Sequence, residues 1–364
     1  MLRLAVTGGG TGGHVFPALE VARLARDAGW DVKYFGSLRG IEGKACLRAD
    51  IPFVGFASEP LYRIYTPRGI RAAYRIAQAR SRARAAILDF APHVLLSTGG
   101  YSSAPVVMAA RSLGVPYVIH EQNTVPGRTN QLFGQDAYRI CTVFSASSKF
   151  FPDGRSVHTG LPIRAELRKS AQGALPQTHS IEKAAPIVLV MGGSQGSVAI
   201  NDIALATGVR MSSEPVQWLH VTGTKHFEPT IASRNKMALS ADYTVKAYLD
   251  AEQMASALFS CTLAVCRSGA GTLGELAAFR KPSVLVPFPG AFRDHQRLNA
   301  EEFRSIGAAE VILQRDLRAA ELERKIVEWF KDSKKRDVAS INLAAWDKPN
   351  AAAEILGILE EAAQ

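Results

Sequence analysis

Short apolar runs alternate with amphipathic stretches along this chain, and glycine marks most of the junctions. "LRLAV" (2–6) reads as a buried strand, and "FPALEVARLARDAG" (16–29) as an amphipathic helix with Pro17 near its first turn and Gly29 after its end. "DVKYFG" is the next strand. The order strand, glycine loop, helix returns in "HVLLSTGGYSSAPVVMAARSLG" (93–114), and "PYVIHEQN" (116–123) is a strand that ends in polar residues. "RKSAQGALPQTHSIEKAAP" (168–186) is small, polar and flanked by proline, which reads as a linker. The alternation then restarts in "IVLVMGGSQGSVAINDIAL" (187–205) and runs on through "WLHVTG", "LAVCRSGAGTLGELAAF" and "PSVLVPFPG". "NAAAEILGILEEAAQ" closes the chain as an amphipathic helix.

The pattern predicts two α/β halves with parallel sheets: residues 1–164, joined by a returning helix at 349–364, and residues 165–348. The working loops are expected at the carboxyl ends of the strands, with the ligand in a cleft between the halves. A length of 364 residues agrees with two cores rather than one. The net charge of +10 and an isoelectric point near 9.5 point to anionic partners: phosphorylated substrates, anionic lipid or nucleic acid. Cys46, Cys141, Cys261 and Cys266 form no spaced framework and read as reduced, buried thiols. "MLRLAV" runs straight into a glycine loop, so no signal peptide is read, and no apolar run is long enough to span a bilayer.

"VTGGGTGGHVFPAL" (6–19) satisfies G-x-G-x-x-G at Gly8, Gly10 and Gly13. A dinucleotide site would also need an acid at the end of the second strand to hold the ribose. That strand ends "YFGS", and Asp31 precedes it, so an NAD-dependent oxidoreductase is a poor fit. A glycine loop that feeds a helix still favours anions, because free backbone N–H groups and the helix dipole face the ligand.

Taken in order, "GGGTGGHVFPAL", "STGGYSSAPV", "IHEQNTVPGRTN", "GLPIR", "MGGSQGS", "CRSGAGTLGELAAFRKPSVLVPFP" and "DHQRLNA" resemble the MurG family of peptidoglycan N-acetylglucosaminyltransferases over nearly the whole chain. The resemblance implies a GT-B fold of two Rossmann-like domains. It implies inverting transfer of N-acetylglucosamine from UDP-N-acetylglucosamine to the muramyl 4-hydroxyl of lipid I, giving lipid II for the cell wall. It also implies a peripheral enzyme on the cytoplasmic face of the bacterial inner membrane, with cell-wall synthesis or division proteins as further partners.

Carried over position by position, the resemblance puts the donor diphosphate on Gly192, Gly193, Ser194, Gln195 and Gly196. Arg267 and then Ala270, Gly271, Thr272, Leu273 and Gly274 lie beside it, and Glu275 is on the ribose diol, where a carboxylate can accept two hydroxyl protons. Arg164 in "GLPIR" meets the nucleotide and Leu249 in "AYLDAEQM" the uracil. Gln296 reaches the sugar, Asn123 assists it, and His295 stands where the family often has a second glutamine. Thr11, Gly12 and Gly13 count among the donor contacts. With Gly99, Gly100, Tyr101 and Ser102 they also face the acceptor diphosphate. The string "SSAP" after Tyr101 departs from the family's usual one.

The acceptor hydroxyl needs a base, and His14, His120 and Glu121 are the candidates. His14 has the right pKa range and sits on the first glycine loop, where a capping or acceptor-binding role is equally open. His120 and Glu121 end a buried strand and suit positioning. The sequence has no D-x-D motif and no tight His/Cys cluster, which favours metal-free and cofactor-free transfer with the leaving charge met by the loop at 192–197. "LYRIYTPRGIRAAYRIAQARSRARAAIL" (61–88) carries Arg63, Arg68, Arg71, Arg75, Arg80, Arg82 and Arg84 and no acid. Such a face suits an anionic membrane surface, with Arg71, Arg75 and Arg80 as its candidates; no nucleic-acid module accompanies it. The alternatives are another UDP-sugar enzyme on the same scaffold, such as a glycolipid synthase or a UDP-N-acetylglucosamine 2-epimerase, and a non-catalytic membrane-associated scaffold.

Overall fold

The computed structural model describes residues 1–58, 66–173, 185–193 and 195–364, and the chain divides into two compact units, Met1–Arg164 with Lys348–Gln364, and Ala165–Asp347. The first unit runs β1 (Arg3–Thr7), α1 (Gly12–Asp27), β2 (Asp31–Ser37), α2 (Glu42–Arg48), β3 (Phe53–Phe56), α3 (Pro67–Phe90), β4 (Val94–Ser97), α4 (Ala104–Ser112), β5 (Tyr117–Glu121), α5 (Arg128–Phe133), β6 (Arg139–Thr142) and β7 (Ser156–His158). The second runs α6 (Ala165–Gly173), β8 (Ile187–Met191), α7 (Val198–Arg210), β9 (Gln217–Val221), α8 (Phe227–Lys236), β10 (Tyr243–Lys246), α9 (Ala251–Ser260), β11 (Leu263–Cys266), α10 (Ala270–Ala278), β12 (Ser283–Leu285), α11 (His295–Ser305), β13 (Ala309–Val311), α12 (Ala319–Lys331) and α13 (Ser333–Trp346). The last helix, α14 (Ala351–Ala362), belongs to the first unit.

Both sheets are parallel, in the orders β3-β2-β1-β4-β5-β6-β7 and β10-β9-β8-β11-β12-β13. A parallel sheet is covered on both faces, so its strands read as unbroken apolar runs, and Val94–Ser97 and Leu263–Cys266 are buried throughout. In the first unit one core lies on each face. Leu4, Val6, Val15, Leu19, Val118, Ile355 and Leu359 form one, and Ala5, Phe35, Ile87, Leu95, Val106 and Ile140 the other.

Strand order reverses between β1 and β4 in one sheet and between β8 and β11 in the other. Neighbouring loops part at such a point and leave a crevice at the strands' carboxyl ends. The four glycine-rich loops after these strands therefore sit where ligands bind in open α/β sheets.

Two boundaries differ from the pattern in the sequence. Helix α1 begins at Gly12 rather than at residue 16, so Gly12, Gly13 and His14 form its first turn. The first half of the expected linker is the helix Ala165–Gly173, with Leu167 and Ala171 buried one turn apart on its inner face. Ser194, Arg63 and the rest of the linker fall outside the described residues. All four cysteines are buried free thiols, and burial pushes Cys46 and Cys141 up to about 12 and Cys261 up to about 11.

Candidate functional site

In the first unit the loops after β1 and β4 pack backbone on backbone. The Gly9 N–H donates to the Gly99 carbonyl at 3.1 Å. Gly100 has φ +88°, and a Cβ there would stand 2.1 Å from the Gly9 oxygen. Only glycine fits such an approach. Glu42, the first residue of α2, is buried beneath the junction. Its Oε1 accepts from the Gly10 N–H and from the Ser102 hydroxyl, each at 3.2 Å. Its Oε2 is buried without a hydrogen-bond partner. The sequence reading gave Glu42 no role, because a glutamate in a helix's first turn looks like an ordinary solvated one.

This wiring narrows what the loops can offer an anion. All three donors are spent inside the protein: the Gly9 N–H on the Gly99 carbonyl, and the Gly10 N–H and the Ser102 hydroxyl on the Glu42 carboxylate. Ser102, expected at the acceptor phosphate, has its hydroxyl turned onto Glu42. The first helical bond of α1 runs from the Val15 N–H to the Thr11 carbonyl, so the N–H groups of Gly12 and Gly13 precede the ladder at the positive end of the helix. Tyr101 is half-buried with its ring edge against Gly10.

His14, half-buried, places Nδ1 2.9 Å from the Thr98 carbonyl and 2.9 Å from Gln122 Oε1. His120 is fully enclosed at the end of β5, and desolvation holds its pKa down at about 4. Its Nε2 meets the Gly160 carbonyl at 3.0 Å. Glu121 is also buried. Oε1 accepts from the Asn123 N–H and side-chain amide, and Oε2 from the Gly127 N–H and the Asn130 amide. Such a carboxylate orders a turn rather than receiving a substrate's proton, so the candidacy of Glu121 as base gives way to positioning. The Arg164 guanidinium lies 5.9 Å over the ring of Phe16, which is 41% exposed.

In the second unit the loop after β8 is equally tight. A Cβ on Gly192 would meet the Ser197 nitrogen at 2.3 Å, and one on Gly196 (φ +75°) the Thr222 carbonyl at 2.1 Å. The Gly196 N–H closes a turn onto the Gly193 carbonyl. Ser197 caps α7, accepting from the Ile200 N–H. The Arg267 guanidinium, which sequence placed beside the phosphates, is engaged with the protein. It donates to Ser197 Oγ and Gln314 Oε1, each at 2.7 Å, and to the carbonyls of Val286 and Pro287. Its ring neighbour is Phe288, and desolvation lowers its pKa. Arg267 thus bears on the loop after β8 through the cap of α7.

Helix α10 starts its ladder with the Leu273 N–H on the Gly269 carbonyl, leaving the N–H groups of Ala270, Gly271 and Thr272 ahead of it. Leu273 and Gly274 are buried, so neither offers a side chain. Glu275 is half-buried one turn into the helix, and Leu249 is buried. Gln296 Oε1 accepts from the Phe288 N–H at 3.0 Å, which turns its amide nitrogen into the group able to donate outward. The Ser268 hydroxyl holds the Gln296 carbonyl and the Asn299 amide holds the Ser268 carbonyl, tying the loop at 267–269 to α11. His295 turns Nδ1 onto the Phe292 carbonyl. Arg293 and Asp294 before it are consecutive non-glycine residues at φ +49° and +56°. Left-handed backbone of this kind costs about 1–3 kcal/mol per residue and concentrates at working sites.

Among the described residues no group of three or more His, Cys, Asp or Glu side chains could hold a metal ion, and no helix is long and apolar enough to cross a membrane. Two family models match the chain: the glycosyltransferase family 28 N-terminal domain over residues 4–142 and its C-terminal domain over residues 187–355. The UDP-N-acetylglucosamine–N-acetylmuramyl-(pentapeptide) pyrophosphoryl-undecaprenol N-acetylglucosamine transferase of Desulforudis audaxviator is 33% identical over 370 residues, covering 100% of this chain and 99% of the relative. The protein of the same name from Geobacter metallireducens is 35% identical over 344 residues, covering 91% and 90%. The solved structure of MurG from Acinetobacter baumannii matches with a TM-score of 0.79 at 26% identity, over 99% of this chain and 100% of that one.

Proposed function

From the premise that the chain belongs to glycosyltransferase family 28, among its pyrophosphoryl-undecaprenol N-acetylglucosamine transferases, we propose how its two switch points divide the work of one reaction. The chain is a GT-B hexosyltransferase that moves N-acetylglucosamine from UDP-N-acetylglucosamine onto lipid I, giving lipid II. The acceptor 4-hydroxyl attacks the anomeric carbon, the bond from that carbon to the UDP oxygen breaks, and the centre inverts. The hydroxyl proton goes to a base, and UDP leaves with the electron pair.

The second unit takes the donor. The open helix-head N–H groups of Ala270, Gly271 and Thr272 and the loop at 192–197 meet the growing charge on the diphosphate. Glu275 accepts from the ribose hydroxyls, the Gln296 amide donates to a sugar oxygen, and Leu249 borders the uracil. Arg164 and Asn123, which the resemblance assigns to the donor, belong to the first unit.

The first unit takes the acceptor. Gly12 and Gly13 offer their N–H groups to the lipid diphosphate, and Tyr101 borders it. His14 is the base: with Nδ1 between two acceptors its Nε2 keeps the lone pair. The observation that carries this reading is the free helix-head donors at the strand-order reversal of each sheet. The arginine face of α3 docks the enzyme peripherally on anionic lipid, on the side of the membrane that holds UDP-sugars.

The test is UDP release from UDP-N-acetylglucosamine, with and without a lipid I analogue. Glu275→Ala is expected to raise the donor KM about tenfold or more, since it removes charge-assisted hydrogen bonds worth roughly 1.5–3 kcal/mol. His14→Ala is expected to cut kcat by about 10²–10⁴ at a similar donor KM. UDP release that ignores the lipid and yields epimerised sugar would overturn the transferase reading. A kcat unaffected by His14→Ala would remove His14 as base.

A further inference from the structure

Gln122 stands in the string "IHEQN" between residues with assigned roles, and its own side chain is buried and fully engaged. One end of its amide faces the Thr98 carbonyl at 3.1 Å, the His120 carbonyl at 2.9 Å and His120 Nδ1 at 3.0 Å. The other end faces His14 Nδ1 at 2.9 Å. Two of these partners are main-chain carbonyls, which can only accept. The end facing them is therefore the NH2 group, and the end facing His14 is the oxygen.

The remaining protons follow in turn. His14 Nδ1 lies between two acceptors, Gln122 Oε1 and the Thr98 carbonyl, so it carries the proton of the neutral ring. His14 Nε2 then has the lone pair. On the other side, His120 Nδ1 accepts from the amide and its Nε2–H donates to the Gly160 carbonyl. That arrangement needs His120 neutral, as its desolvated position keeps it. A protonated His120 would turn a donor against the NH2 group.

We propose that Gln122 is a positioning residue for the transfer: its amide oxygen, with the Thr98 carbonyl, holds the His14 ring in the Nδ1–H form with Nε2 presented to the acceptor hydroxyl, and His120 holds the amide in register. The proposal rests on His14 as the base. The Thr98 carbonyl alone would leave the ring one acceptor, and it is itself anchored by the Gln122 amide. Losing the side chain therefore loosens both acceptors at once.

Two measurements test this on the full chain. Nitrogen NMR of ring-labelled histidine, with His14→Ala to assign the signal, is expected to show His14 protonated at Nδ1 and unprotonated at Nε2. The opposite tautomer in the wild type overturns the proposal whatever the activity, and it does so even if every Gln122 variant fails to fold. Kinetics then separate roles. Gln122→Met is expected to lower kcat about 10- to 100-fold, with the donor KM within about twofold. Gln122→Glu, which keeps an acceptor against His14 but loses the donor to the Thr98 carbonyl, is expected to restore part of that loss. A wild-type kcat for Gln122→Met overturns the proposal. So does a Gln122→Glu enzyme that folds yet is as slow as Gln122→Met, since the acceptor facing His14 would then contribute nothing. If His14→Ala alone retains full turnover, the base reading has failed, and the tautomer signal still judges the placement by itself.

Discussion

Gly100 is where the first unit's two loops are most tightly bound to one backbone geometry. A side chain there must adopt φ +88° and also push the Gly9 carbonyl away from 2.1 Å. Gly100→Ala is expected to cost the first unit at least about 1–3 kcal/mol from backbone strain alone. Urea denaturation would show it as a lowered midpoint at an unchanged slope. Because the shifted Gly9 carries the bond to Gly99, turnover is expected to fall further than stability does; a variant as stable as the wild type would mean that the loops are not so constrained. Positions of this kind were legible beforehand, since repeated glycines after an apolar run leave few explanations. Gln122, Glu42, Gln314 and Asn130 were not. Gln122 and Glu42 are buried and Gln314 half-buried against partners distant in the chain, Asn130 is buried against the end of β5, and no local periodicity separates any of them from a solvated residue. Arg267 shows the converse: its motif stands out in the sequence, but its two terminal guanidinium nitrogens are directed by the carbonyls at 286 and 287 and by Ser197 and Gln314.

At the scale of elements, the strands were the clearest part of the sequence because both faces of a parallel sheet are buried and the apolar runs are unbroken. Short strands such as Ser156–His158 and Ala309–Val311 gave no such run, and their pairing depends on the neighbouring strand. Helix α6 was masked by its composition: Leu167 and Ala171 are its only buried residues, too few for a visible stripe. Helix α3 was read as a basic amphipathic segment, and its inner stripe is Ala79, Ala83, Ile87 and Phe90. Arg71, Arg80, Arg82 and Arg84 are exposed, Arg75 is half-buried, and Tyr74 is 68% exposed. Each cation near an anionic membrane contributes about 1 kcal/mol. Reversing Arg71, Arg75 and Arg80 to Glu is therefore expected to weaken binding to vesicles containing anionic lipid by more than about tenfold, with solution turnover on a soluble acceptor analogue largely retained. Flotation that is indifferent to the reversal, or to the anionic lipid itself, would remove α3 as the docking face.

The molecule is built as two units, each with its own sheet and core, and the chain crosses between them twice, at Arg164–Ala165 and at Asp347–Lys348. The second crossing makes the last residues part of the first unit's interior. Helix α14 packs against α1, β4 and β5, and Ile355 and Leu359 are fully buried in the core that holds Leu4, Val6, Leu19 and Val118. Two such side chains contribute roughly 1.5–3 kcal/mol each. Against a domain stability of about 5–15 kcal/mol, their loss removes a large share of what holds the first unit folded. Asp347 remains with the second unit, where its carboxylate pairs with Arg168 on α6. A chain ending at Asp347 should therefore damage one unit and spare the other. In calorimetry the first unit's transition is expected to fall by roughly 10 °C or more, at about 2–4 °C per kcal/mol for a unit of this size. The second unit's transition should stay in place, and Gly100→Ala identifies which transition belongs to the first. A truncated chain whose two transitions both keep their temperatures would show that the first unit does not depend on its returning helix. If both fell together, the two units would have to be treated as one cooperative body.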